Sequence, residues 1–254
     1  MTNRKKQFGL IGGSLSHSLS QKYFTAKFAK LGLSNCKYTL FPISEVSKVI
    51  NIISGNPNLV GLNVTSPYKE TIIPFLDEIE ADAAKLGTVN VIKITRQEDY
   101  TSLKGYNTDI FGLRKTFAMF DLPSNCKALI LGSGGSAKTA KFALSELGIQ
   151  STNVSRLPST LDELSYSKLT ARTMQEYKLI INATPVGMFP NVSNFPKIPY
   201  EGITPEHICL DLVYNPEKTK FIEKCEAQGA ITANGLTMLY EQADKAWEIW
   251  NENN

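Results

Sequence analysis

The chain has 254 residues, of which 42% are hydrophobic and 20% charged. This excludes collagen-like, low-complexity and disordered classes, and at roughly 150 residues per domain it leaves about 1.7 domains, one large or two small. Twenty-seven basic residues against 24 acidic ones leave a net charge of +3, too small an excess to imply nucleic acid or a membrane surface.

In chain order, Phe8–Ile11 is a short apolar run that ends in Gly12-Gly13 and predicts a strand and a turn. Arg4-Lys5-Lys6 precedes it, but the run falls short of the ~7–15 apolar residues of a secretory signal. No later stretch approaches the ~18 apolar residues of a membrane span. Gln21–Leu31 carries Phe24, Phe28 and Leu31 at helical spacing and stops at Gly32. Lys37–Phe41 predicts a strand, Val46–Ile53 a helix, Leu59–Val64 a buried strand and Thr88–Ile94 a further strand. These units form a first α/β region.

A second region begins near Gly105. Ile110, Leu113, Phe117 and Phe120 make a helical stripe, followed by a polar turn at Leu122-Pro123-Ser124-Asn125. Ala128–Leu131 predicts a strand, Gly132–Gly135 a turn and Ala137–Leu147 a helix closed by Gly148. Ser151–Ser155, Leu179–Asn182 and His207–Val213 predict three more strands, and Leu236–Trp250 a final helix. The βα alternation argues for a parallel, doubly wound sheet. Cys36, Cys126, Cys209 and Cys225 form no C-x-x-C pair, so they read as reduced thiols of a cytoplasmic protein. With only His17 and His207 as imidazoles, no metal site is expected.

Gly132-Ser133-Gly134-Gly135-Ser136-Ala137 matches G-x-G-x-x-[GA] between a strand and a helix, the dinucleotide fingerprint. Gly132 permits the tight turn, Gly134 lets backbone approach a pyrophosphate, and the helix-start N–H groups attract its charge. The next strand ends Asn153-Val154-Ser155-Arg156, with no acid before Asp162. A cation without an acid suits a 2′-phosphate, which favours NADP over NAD.

Three other residues draw notice. In Val64-Thr65-Ser66-Pro67-Tyr68-Lys69, Ser66 reads as an N-cap and Pro67 as a first helical residue, which puts Lys69 against the helix dipole. From position alone, a solvated lysine is the simpler account. Asp109, or Thr108, reads as a helix N-cap, and Asn90 as a polar residue of a turn or strand.

Taken together and in order, these motifs resemble the shikimate dehydrogenase family over nearly the whole chain. His17-Ser18-Leu19-Ser20 is similar to its H-S-x-S, and Asn63-Val64-Thr65-Ser66-Pro67-Tyr68-Lys69 to its N-V-T-x-P-[FY]-K. Val89-Asn90 is similar to its A-V-N segment and Asn107-Thr108-Asp109 to its N-T-D. Ser14 and Gln21 stand where the family usually has proline, and Ser155 where it usually has asparagine.

The resemblance implies Lys69 and Asp109 as the catalytic pair. It implies Ser18, Ser20, Thr65, Asn90, Asp109, Tyr214 and Gln242 as substrate contacts. Cofactor contacts would be Gly132, Ser133, Gly134, Gly135 and Ser136, then Ser155, Arg156, Thr184, Leu212 and Gly235. Asn182-Ala183-Thr184 is similar to the loop near the nicotinamide.

The implied fold is an N-terminal α/β substrate-binding domain, residues 1–103 and 236–254, plus a Rossmann NADP-binding domain, residues 104–235. The C-terminal helix returns to the first domain, because Gln242 lies on it. The implied reaction is NADPH-dependent reduction of 3-dehydroshikimate to shikimate in aromatic amino acid biosynthesis, by a cytoplasmic monomer or homodimer without nucleic acid or membrane partners. The alternatives are an NAD-using or dual quinate/shikimate dehydrogenase, or a shikimate-binding sensor without turnover. Short-chain reductases use Tyr-x-x-x-Lys, a spacing found at Tyr23–Lys27, before the glycine turn, and at Tyr214–Lys218, across Pro216.

Overall fold

The computed structural model describes residues 5–16, 18–98, 100–123 and 125–252; His17 and Ser124, which belong to two of the motifs above, lie outside them. The chain divides into two compact units, Met1–Thr108 with Ala243–Asn254, and Asp109–Gln242.

The first unit runs β1 (Lys6–Gly12), α1 (Ser20–Lys30), β2 (Cys36–Pro42), α2 (Lys48–Gly55), β3 (Leu59–Val64), β4 (Glu78–Ile79), α3 (Ala81–Leu86), β5 (Val91–Arg96) and β6 (Thr101–Tyr106). The sheet order is β2-β1-β3-β5-β6-β4. β1 is parallel to β2 and β3, whereas β5 is antiparallel to both β3 and β6. The sheet is therefore mixed, where alternation alone predicted a parallel one. The physical reason is chain length: only four residues separate Arg96 from Thr101, its pairing partner, too few for a crossover helix, so β5 and β6 pair as a hairpin. β6 escaped the sequence reading because Thr101-Ser102-Leu103-Lys104-Gly105-Tyr106 lacks an apolar run. α1 buries Phe24 and Phe28, each contributing roughly 1.5–3 kcal/mol of hydrophobic stabilisation. It stops at Gly32, whose φ of +68° costs a glycine little.

The second unit holds α4 (Thr108–Phe117) from its second residue on, then β7 (Lys127–Leu131), α5 (Gly135–Glu146), β8 (Gln150–Ser155), β9 (Leu164–Ser165), α6 (Ala171–Glu176), β10 (Leu179–Asn182), β11 (Ile208–Asp211), α7 (Lys220–Glu226) and β12 (Ile231–Ala233). Its sheet, β12-β11-β10-β7-β8-β9, is parallel throughout. This is the Rossmann order, with the reversal between β7 and β10. The central strands are apolar on both faces. Ala128, Ile130, Leu179 and Ile181 enter one core, while Leu129, Leu131 and Ile180 enter the other. His207 is fully buried and structural: its Nε2 lies 2.8 Å from the Met174 carbonyl, tying α6 to the turn before β11.

α8 (Leu236–Asn251) closes the chain. Its Leu236–Gln242 half counts with the second unit, where Gly112 of α4 faces it: a side chain there would lie 2.6 Å from the Met238 carbonyl oxygen. Its Ala243–Asn251 half returns to the first unit. There Ala243, Ala246, Ile249 and Trp250 join Phe8, Phe24, Phe28 and Tyr38 in one core. The Trp250 indole N–H donates to the Ile92 carbonyl at 3.1 Å, on the bare patch that Gly61 leaves on the sheet. Tyr23 and Lys27 both bond to Asp244 of α8, so this Tyr-x-x-x-Lys pair serves as a clasp within the first unit. Among the described residues no helix is long and apolar enough to cross a membrane.

Candidate active site

In the first unit the expected substrate contacts lie along one edge of the sheet. β1 and β3 end there, β5 starts there, and β6, antiparallel to β5, ends there. Ser18 and Ser20 follow β1; Ser18 Oγ accepts the Ser20 N–H at 3.2 Å. Nearby, the Tyr38 phenol donates to Asn63 Oδ1 at 2.7 Å. Burial pushes the Tyr38 pKa far up, against the opposing pull of Ser20, so the phenol stays neutral. Gln21, at one of the positions where proline is usual, donates to the Tyr38 carbonyl at 3.2 Å and ties the start of α1 to β2.

Thr65 follows β3 and donates its N–H to the Ile11 carbonyl at 3.0 Å. Asn90 sits just before β5, which begins at Val91 rather than at Thr88. Its backbone joins both neighbours: Val64 N–H donates to Asn90 C=O at 2.8 Å, and Asn90 N–H to Tyr106 C=O at 3.0 Å. Its side-chain Oδ1 accepts the Thr108 N–H at 2.7 Å, and its Nδ2 donates to Thr108 Oγ1 at 3.1 Å. Asn90 thus pins the last residue of the unit. Asp109 is the next residue, in the first turn of α4, and is buried.

Lys69 requires a correction. Residues 66–72 form successive turns rather than an α-helix, and the one helical element nearby is a 3-10 turn at Ile73–Phe75. Single bonds hold the segment, Tyr68 N–H to Thr65 C=O at 3.0 Å and Ile72 N–H to Tyr68 C=O at 2.9 Å. Tyr68 is drawn inward, its hydroxyl donating to the Ile43 carbonyl at 2.7 Å. The Ser66–Pro67 peptide is cis. The helix-dipole argument for Lys69 therefore falls. The half-buried lysine is instead fixed through its carbonyl, which accepts the Val89 N–H at 2.8 Å.

In the second unit the expected cofactor contacts lie at the C-terminal edge of the parallel sheet, the edge such folds use for ligands. Gly132 ends β7 with φ +119°, and a side chain there would come within 3.1 Å of Thr184 Cγ2 and 3.2 Å of the Ala183 carbonyl oxygen. Ser133, Gly134 and Ser136 are exposed, and nothing stands within 4 Å of where side chains on Gly134 or Gly135 would begin. The first turn of α5 carries no acid and its N-cap makes no side-chain bond, so an open cradle of N–H groups faces outward. Beneath it, Asn153 Nδ2 holds the Gly132 carbonyl at 2.9 Å, while Asn153 Oδ1 is buried without a partner. Ser155 and Arg156 follow β8; Ser155 Oγ accepts the Leu157 N–H at 3.1 Å and Arg156 is exposed. These features fit a dinucleotide.

Thr184 follows β10. Its hydroxyl faces inward, donating to Asn182 Oδ1 at 2.6 Å and accepting the Val186 N–H at 3.2 Å. The methyl therefore faces Gly132. Leu212 follows β11, and its carbonyl occupies the space where a Gly235 side chain would stand. The Tyr214 hydroxyl pKa is raised by burial. Pro216 interrupts the 214–218 segment, which forms no helix. The Gln242 side chain bonds back onto its own helix, Nε2 donating to the Leu239 carbonyl at 3.0 Å.

A Rossmann unit with an open glycine turn, in one chain with a second α/β unit whose polar groups share a sheet edge, is the arrangement of a dinucleotide-binding protein of two α/β units. The family model for the shikimate dehydrogenase substrate binding domain matches residues 10–92. The shikimate dehydrogenase (NADP(+)) of Desulforamulus reducens is 34% identical, covering 95% of this chain and 88% of that protein. The crystal structure of shikimate dehydrogenase 1 from Peptoclostridium difficile superposes with a TM-score of 0.80 at 35% identity, over 98% of this chain and 92% of that one. That of shikimate 5-dehydrogenase from Thermus thermophilus, in complex with NADP(H) and shikimate, gives a TM-score of 0.83 at 28% identity, over 97% and 93%. The chain belongs to the shikimate dehydrogenase family.

Sequence reasoning missed the groups behind the site: Tyr38, Asn153 and Asp211. The lone acid in the apolar strand Ile208-Cys209-Leu210-Asp211 was a readable signal, since burying a carboxylate is costly unless it is bonded.

Proposed function

We propose that the protein is an NADP-dependent shikimate dehydrogenase, reducing 3-dehydroshikimate reversibly to shikimate within aromatic amino acid biosynthesis in the cytoplasm. The observation that carries this reading is the gathering of Ser18, Ser20, Thr65 and Asn90 on one sheet edge, a polar rim suited to a small polyhydroxylated acid. The first unit is the substrate-binding part and the second the cofactor part. The protein works as a monomer or homodimer without nucleic acid or membrane.

NADPH, when bound, supplies the hydride. The open N–H groups of Gly132–Ser136 hold its pyrophosphate, and Arg156 with Ser155 takes the 2′-phosphate. The Thr184 methyl, Leu212 and Gly235 shape the nicotinamide side. Ser18 and Ser20 donate hydroxyls to the substrate carboxylate, while Thr65, Asn90, Tyr214 and Gln242 hold its ring hydroxyls. Negative charge builds on the carbonyl oxygen during reduction, and Lys69 supplies a cation and a proton to that atom. Asp109, the other member of the catalytic pair, grips a substrate hydroxyl.

The test is a two-by-two assay of shikimate and quinate against NADP+ and NAD+, read at 340 nm. Shikimate with NADP+ should give the highest kcat/KM. Tight shikimate binding without turnover would show a sensor, and equal rates with quinate or NAD+ would show the dual-specificity enzyme.

A further inference from the structure

Two strand ends in the second unit are locked together by a carboxylate to which the roles above give no part. Asn182 and Asp211 are register partners at the ends of the parallel strands β10 and β11, and both are fully buried. Asn182 Nδ2 donates to Asp211 Oδ1 at 2.9 Å. The same oxygen accepts the Val213 N–H at 3.0 Å, and Asp211 Oδ2 accepts the Thr219 hydroxyl at 2.6 Å. Each strand therefore ends in a side chain that captures backbone two residues on, the local turn these residues favour.

The chemistry of the pair is directional. An ionised carboxylate only accepts, so Asn182 must present its NH2 to Asp211. That orientation aims Asn182 Oδ1 the other way, where it accepts the Thr184 N–H at 3.1 Å and the Thr184 hydroxyl at 2.6 Å. Asn182 Nδ2 also reaches the Val186 carbonyl at 3.3 Å, and the Leu212 N–H donates to the Asn182 carbonyl at 2.9 Å. A neutral, two-faced partner at 211 without Val213 to orient it would leave the Asn182 amide free to turn over. The 183–187 loop would then lose the acceptor that shapes it.

We infer that Asp211 is a positioning residue for the cofactor side of the reaction: it fixes the Asn182 amide, and through Asn182 it holds Thr184 against Gly132. This rests on the reading above that the 182–184 loop borders the nicotinamide. Asp211 itself touches no reacting atom. Its contribution is the shape of one loop, and small misplacements of a loop that orients a reacting group carry large rate costs.

The experiment compares wild type with Asp211→Asn, Asp211→Ala and Asn182→Ser, measuring NADP+ affinity and shikimate affinity separately by calorimetry, and kcat by absorbance. Asp211→Asn keeps an acceptor toward Asn182 and Val213 and turns a donor toward Thr219, whose hydroxyl can accept, so it should behave nearly as wild type. Asp211→Ala and Asn182→Ser should each weaken NADP+ binding and lower kcat by about 10- to 100-fold, with shikimate affinity unmoved. Wild-type NADP+ affinity in a folded Asp211→Ala or Asn182→Ser protein would overturn the inference. So would an equal loss of NADP+ and shikimate affinity, which marks a general structural defect. Should Asp211→Ala fail to fold, Asn182→Ser, which leaves Asp211 bonded to Val213 and Thr219, decides alone. A wild type that neither binds NADP+ nor oxidises shikimate would instead overturn the functional reading, and this inference with it.

Discussion

Gly61 and Trp250, far apart in sequence, meet face to face: the indole lies where a side chain on Gly61 would project, and its N–H donates to the Ile92 carbonyl at 3.1 Å. Trp250 stacks among Phe8 and Phe24, with ring centroids 5.0 and 5.4 Å away. This contact is one of those that hold the end of α8 on the first sheet. Gly61→Ala should displace the indole and cost about 1–3 kcal/mol, the range for an overpacked core. Urea unfolding followed by tryptophan fluorescence would measure it, and an unchanged midpoint would show that α8 is anchored by other contacts.

A second prediction concerns pH. Burial pushes the Asp211 carboxyl up to about 6 from 3.8, against the bonds from Thr219, Val213 and Asn182 that favour its charge. The native state therefore holds this proton more tightly than the unfolded chain. Its contribution to stability is greatest below the unfolded value and declines as pH rises through about 6, by on the order of 3 kcal/mol in all. Asp211→Asn removes the titration. The stability of wild type relative to this variant should fall between about pH 4 and pH 6 and then level off. A parallel pair of stability curves would contradict the burial argument.

Lys69→Ala should lower kcat by about 10²- to 10⁴-fold, the range for a lost general acid, while leaving KM for NADPH nearly unchanged. Steady-state kinetics in both directions would check this. A change confined to KM would remove Lys69 from the chemical step.

Arg156→Ala should narrow the preference for NADP+ over NAD+, chiefly by weakening NADP+, because its exposed guanidinium follows β8, where it suits a 2′-phosphate. The ratio of kcat/KM values for the two cofactors is the readout. An unaltered ratio would move the phosphate site elsewhere.

Gly132→Ala should weaken NADP+ binding without touching shikimate affinity. Alanine at φ +119° is strained, and its methyl would press on Thr184 and Ala183. Calorimetric titration with each ligand separates the two effects, and intact NADP+ affinity would show that the turn tolerates adjustment.

Much of this was legible along the chain because it is local. The glycine turn between β7 and α5, the phenylalanine spacing of α1 and the apolar runs of β7 and β10 depend on neighbours a few residues apart, so periodicity and turn chemistry reveal them. The motif residues Ser18, Ser20, Thr65, Asn90 and Asp109 were likewise found as strings, without geometry. Where local signals misled, tertiary contacts had overridden them. Ser66-Pro67 reads as a helix start, yet Tyr68 is pulled into the core and the segment closes as turns. Thr101–Tyr106 has no apolar run, yet pairing with β5 makes it a strand.

Residue type and short-range spacing thus carried the family, the cofactor turn and the roster of polar groups. The mixed direction of the first sheet, the return of α8 onto Gly61, and the pairing of Asn182 with Asp211 rest on contacts between residues far apart in sequence. Such contacts depend on which surfaces bury each other once the chain has collapsed, and on which buried polar groups then find partners. Neither quantity exists until the fold does.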